Sequence, residues 1–280
     1  MTATPTAYAP APVTTGRPTL LRLMRSEWIK LRTLRSTIWC FALILVVFVG
    51  FATMFAPAIV AALGDQLTFG GPSAGTSVLL GFTLTFSLFG MLISGVLGVL
   101  TISGEYSTGM IRSTFSAAPR RLGALVAKGI VFTVVTFIVS AVAVGAAVLV
   151  SRGFFIAGGA KVDIATEEAF TAMLGAILFI VLIGLMGFAF GMLLRNGAAG
   201  IGALMGLVLV LPLLTTFLGA VLPWVGDTLK FFPLNAGMRL YSLPSGSPDE
   251  LEFWQALLVM LGWVAVILVP ALVLARKRDA

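Results

Sequence analysis

The residues able to do chemistry are few, and they cluster between long apolar runs. The chain has 18 Lys and Arg, 11 Asp and Glu, no histidine and one cysteine, Cys40. Without histidine there is no Ser-His-Asp or Cys-His nucleophile pair. With one cysteine besides, no zinc, haem or copper site is expected. Cys40 lies inside an apolar run and reads as a small hydrophobe. No G-x-x-x-x-G-K-[ST] phosphate loop occurs, and Lys128 lacks the glycines that would cradle a phosphate. The chain is therefore not expected to hydrolyse ATP alone, to bind a cofactor or metal, or to be an enzyme. What the charged residues can still do is pair, orient the chain and dock partners. They lie in the segments between and beyond the runs, with Glu105 and Arg112 in the middle and Lys230 and Arg239 late in the chain.

The elements that must position them are six runs without a charge: Ile38–Ala62, Val78–Ile102, Gly129–Val150, Thr171–Leu194, Gly197–Leu222 and Trp254–Ala275. At about 1.5 Å per residue each can cross a hydrocarbon core of roughly 30 Å as a helix. Backbone in lipid must satisfy itself, and runs without alternation exclude a barrel. With 59% hydrophobic residues and a mean hydropathy of +1.08, the expectation is an all-α polytopic membrane protein of six transmembrane helices. The first run starts too far in for a secretory leader.

Lys and Arg fix the orientation. Segments 1–37, 103–128, 195–196 and 276–280 hold fourteen, and segments 63–77, 151–170 and 223–253 hold four. Positively charged segments stay inside, so both termini are expected to be cytoplasmic. The net charge of +7 then reads as orientation and contact with anionic lipid, and no nucleic-acid partner is expected. Arg195–Asn196 reads as a tight turn, and Pro212 as a kink in the fifth span.

Residues 1–18 form a Pro-, Ala- and Thr-rich lead expected to be disordered. Residues 19–37 have helical period. Leu20, Leu23, Met24, Trp28, Leu31 and Leu34 fall near one face, away from most of the basic residues, as in an interfacial amphipathic helix. The spans carry small residues four apart: Ser94 and Gly98, Gly187 and Gly191, Gly202 and Gly206. Such pairs let helices pack within one subunit or between subunits. No span has an ionisable residue in its middle, which weighs against an ion-driven transporter. Segment 103–128 reads as a short amphipathic helix, a turn and the start of the next span. Its apolar Met110, Ile111 and Phe115 need cover from lipid or a docked protein.

Three segments resemble the permease subunit of a type-2 ATP-binding-cassette (ABC) transporter of the actinobacterial and Gram-positive type: Ser26–Trp39 (SEWIKLRTLRSTIW), Ser103–Arg121 (SGEYSTGMIRSTFSAAPRR) and Phe231–Leu240 (FFPLNAGMRL). With the six-span layout the resemblance covers nearly all of the chain beyond residue 18, and the second segment is the most specific. It implies a cytoplasmic coupling helix between spans two and three. That would put Glu105, Tyr106, Thr108, Gly109, Met110, Ile111, Arg112 and Thr114 at the contact with an ATPase. Glu27, Trp28 and Lys30 would lie on the connecting helix, and Phe232, Pro233 and Asn235 in a re-entrant outer gate. Glu105 would pair with Arg112 or with a base on the connecting helix, or be an ordinary helix-terminal charge. A plain outer linker is the alternative for segment 223–253.

The expected protein is thus a bacterial plasma-membrane permease, an exporter of a hydrophobic or amphiphilic small molecule or peptide. Its partners would be a cytoplasmic ABC ATPase, which binds ATP-Mg, and a second permease subunit, identical or related. Phe41, Phe48, Phe51, Phe55, Phe82, Phe86 and Phe89 either line the path or pack the spans. A non-transporting membrane anchor or regulatory partner is the alternative class, and a secondary transporter a third.

Overall fold

The structure is a computed structural model describing residues 19–69, 71–110, 121–243 and 250–277. Among these residues there are helices and no strands. An amphipathic helix, α1 (Leu20–Thr33), precedes the first span, α2 (Arg35–Phe69). The second span is α3 (Gly71–Leu84) continued as α4 (Ser87–Ser107), and the third is α5 (Arg121–Ala157). The fourth is α6 (Glu167–Leu194). The fifth is α7 (Gly197–Met205), a π-helical turn (Gly206–Val210) and α8 (Leu211–Gly219). Short helices α9 (Pro223–Gly226) and α10 (Pro233–Tyr241) precede the last span, α11 (Phe253–Lys277). Among the described residues six stretches are long and apolar enough to cross a membrane, so this is a multi-pass helical membrane protein.

The helices outrun their apolar runs. α5 begins at Arg121, well before the run at Gly129, and α4 continues past Ile102 to Ser107. Continuing a helix keeps every backbone group bonded at the edge of lipid. Glu105 and Lys128 therefore stand on rigid helical stems rather than on loops.

The fourth span is the core: 72% of its most apolar window is buried, against 17% for the first and fifth spans. Glycine explains its grip on the second span. A methyl on Gly98 would strike the Gly184 carbonyl, and one on Gly187 would strike the Gly95 carbonyl. Backbones meet there without side chains between them, which maximises dispersion contact in lipid. Ser94 and Gly98 thus face Gly184 to Gly191 within the subunit. Gly202 and Gly206 do not share this role, since a Cβ at either would meet nothing within 4 Å.

The aromatic residues of the first two spans pack on one another. Phe51 stands 5.4 Å from Phe86 and 5.3 Å from Phe89, and Phe86 lies 5.1 Å from Phe82, all edge-on. Packing is the role observed for these rings. A π-helical turn stands just before Pro212, the position where the sequence leads one to expect a kink. Proline lacks an N–H and crowds the carbonyl four residues back, and widening the preceding turn relieves both. Arg195 and Asn196 make a two-residue turn. Arg195 is left-handed (φ 54°), and Asn196 caps α7 by accepting from Ala199 N at 3.1 Å.

Candidate functional site: a buried ring of four charges

Three helices converge where α4 ends and α5 begins. α1 has no acid in its first turn and Lys30 and Arg32 in its last, an arrangement favoured by the helix dipole. It lies against α5, with Leu23 near Gly123. Its protein-facing side combines part of the apolar stripe with an acid. Glu27 and Leu31 are buried, whereas Leu20, Trp28 and Leu34 are about half exposed. A carboxylate thus points into the protein from an otherwise ordinary amphipathic helix.

Glu27 meets its partners there. Lys30 Nζ donates to Glu27 Oε1 at 2.7 Å and to Glu105 Oε1 at 3.2 Å. Lys128 Nζ donates to Glu105 Oε1 at 2.8 Å. It also lies 2.7 Å from Glu27 Oε2, an ion-pair distance outside hydrogen-bond geometry. The signs alternate around a closed ring: Glu27, Lys30, Glu105, Lys128. Glu27, Glu105 and Lys128 are only 4–5% exposed, and Lys30 forms the open side.

Burial of this kind is costly for any one charge, and the ring offsets the cost by giving each ion two opposite neighbours. Burial pulls the Lys30 ammonium downward, but Glu27 and Glu105 outweigh it, and its pKa ends above the usual 10.5. Chemically the ring is a clasp. Both carboxylates are neutralised by ammonium groups, so neither is free as a general base. Among the described residues no group of three or more metal-ligating side chains forms.

Tyr106 ties the same stem to the fourth span, with the Arg195 guanidinium 5.1 Å over its ring. Thr108 caps α4 and its hydroxyl donates to Gly104 O at 2.7 Å. Gly109 then turns the chain with φ 71°, a conformation that favours glycine. Met110 is 45% exposed beyond it. Ile111, Arg112 and Thr114 lie outside the described residues.

Of the two partners expected for Glu105, the ring contains the one on α1, Lys30. Sequence reasoning missed Lys128. The signal was its place: Glu105 ends one span, Lys128 starts the next, and antiparallel neighbours put such positions at one depth.

The residues expected at an outer gate sit at the opposite end. Phe232 is the extended N-cap of α10 and Pro233 its first residue. α10 packs on α6, where a methyl on Gly237 would strike the Phe179 ring. Asn235 lines an open cavity of about 620 Å³ with Asp227, Lys230, Arg239 and Glu250. Arg239 is used structurally. Its Nε donates to Leu251 O at 2.7 Å, and its Nη2 pairs with Glu250 at 3.0 Å.

No known family model matches this chain, and no curated protein matches it.

Proposed function

We propose that this chain is the membrane-spanning subunit of an ABC exporter, powered by a separate cytoplasmic ATPase and working with a second permease subunit. The observation that carries the reading is the buried ring. It locks α1 to both stems of segment 108–120, so those three pieces must move together. Two of the three segments with the ABC resemblance, Ser26–Trp39 and Ser103–Arg121, contribute to it. A loop that receives a push from an ATPase needs stiff stems and a joint to neighbouring helices, and the ring supplies both. The positive charge of this end supports a cytoplasmic placement, with both termini inside a bacterial plasma membrane. The apolar spans favour a hydrophobic or amphiphilic substrate.

Purification from native membranes in mild detergent tests this. The account expects an ATPase with a phosphate loop to co-purify in stoichiometric amount. In proteoliposomes, Glu105→Gln should cut ATP-dependent export at least tenfold while the ATPase still binds. Absence of any ATPase, or transport that survives without ATP and collapses with the proton gradient, would sink the reading.

A further inference from the structure

A cavity of about 370 Å³ opens beside the ring, between α1 and the cluster-side half of α4. Its walls are graded. Leu31, Leu34, Leu97 and Leu100 form an apolar side, and Leu34 and Leu100 are half exposed at its rim. Glu27, Glu105 and Lys128 close the inner end, and the hydroxyls of Thr33, Ser36 and Thr108 stand at the mouth. Its volume lies in the range of small-molecule sites.

Two carboxylate oxygens there lack a hydrogen-bond partner: Glu27 Oε2, which still has Lys128 Nζ at 2.7 Å, and Glu105 Oε2, which has no ion-pair contact either. Glu105 Oε1 receives both lysines, but Glu105 Oε2 is buried without a hydrogen-bond partner. A carboxyl oxygen buried beside an apolar wall calls for a donor, because leaving it unpaired costs free energy. The ring itself is neutral, so a bare cation would add uncompensated charge. A zwitterion with an N–H-bearing head and an attached alkyl chain answers all three constraints.

We propose that this cavity binds one amine-headed zwitterionic amphiphile, a phosphatidylethanolamine-type lipid. Its ammonium donates to Glu105 Oε2. Its phosphate sits at the mouth beside the partly open Lys30 and the Ser36 hydroxyl, and its chain runs along Leu97 and Leu100. The choline analogue carries no N–H and cannot make the first bond. The site stands whether or not an ATPase docks nearby.

The test is native mass spectrometry of the delipidated full chain, titrated with short-chain phosphatidylethanolamine, phosphatidylcholine and free glycerophosphoethanolamine. The expected result is one ethanolamine lipid bound at least tenfold more tightly than the choline lipid, and negligible binding of the chainless head. Leu100→Trp, placed at the half-exposed rim, fills the cavity without touching the ring and should abolish the bound lipid. Glu105→Gln should remove the head preference. Equal binding of the two lipids would overturn the proposal. So would equal binding of the free head, or an unchanged stoichiometry in Leu100→Trp.

Discussion

The two ends of the bundle are held by different means. At one end four charges from α1, α4 and α5 close a buried ring. At the other, side chains mostly reach backbone. Thr76 Oγ1 donates to Asp163 O at 3.1 Å and accepts from Asp163 N at 2.9 Å, and Trp263 Nε1 donates to Phe231 O at 2.8 Å. Arg239 spans Leu251 O and the more exposed Glu250. Backbone-directed bonds pin a loop locally and survive small displacements of their neighbours. A buried ionic ring has no good half-open state, because each separated charge is left in a poor solvent. The first kind of joint tolerates local movement, and the second makes separate helices move as one.

Breaking one member at each end separates the two kinds most sharply. Glu105→Ala leaves Lys30 and Lys128 sharing one carboxylate and should destabilise by about 3–5 kcal/mol, the usual cost of an uncompensated buried charge. Glu250→Ala removes a partly exposed partner and should cost less than about 1 kcal/mol. Denaturant unfolding in detergent compares them, and equal effects would erase the distinction.

Alkaline pH sharpens it. Burial raises the Tyr241 phenol from 10.0 to about 12. The folded state therefore binds its proton more tightly than the unfolded chain. That stability is full below pH 10 and disappears between pH 10 and 12, about 2–3 kcal/mol in all. Tyr241→Phe should flatten that part of the stability curve. Lys30 is likewise raised, so its share of the ring is present below pH 10.5 and is lost only as pH climbs through the higher folded value. A Tyr241→Phe protein with an unchanged alkaline slope would contradict this.

The seam joining the ends gives a smaller contrast. Gly98→Ala pushes a methyl into the Gly184 carbonyl and should cost about 1–3 kcal/mol. Gly202→Ala meets open space and should be neutral, or stabilising by up to about 1 kcal/mol through helix propensity. Thermal unfolding of both variants checks the order.

Six spans were legible because a helix in lipid must be long and apolar, and the sequence carries that requirement in plain view. The Arg195–Asn196 turn was legible for the same reason: two polar residues interrupt an otherwise apolar stretch. The burial of Glu27 was not. The amphipathic pattern put Trp28 on an apolar, headgroup-directed face and left Glu27 unremarked, yet Glu27 is buried, because Lys30, Glu105 and Lys128 are there to receive it. A burial that depends on partners 75 and 23 residues apart in sequence (Lys30 to Glu105, Glu105 to Lys128) has no local signature. Glu27 in isolation resembles any surface acid. The break of the second span at Thr85 and Phe86 was hidden too, since apolar residues continue through it.

We propose that the ring stiffens the ends of α4 and α5, and that an ATPase docks on the segment between them. Photo-cross-linking from Thr108, the exposed cap of α4 next to the ring, tests it most directly in native membranes. The account predicts a single cross-linked product whose peptides include a phosphate loop, and loss of that product in Glu105→Ala. Cross-links to lipid alone, or to a protein without a phosphate loop, would contradict it.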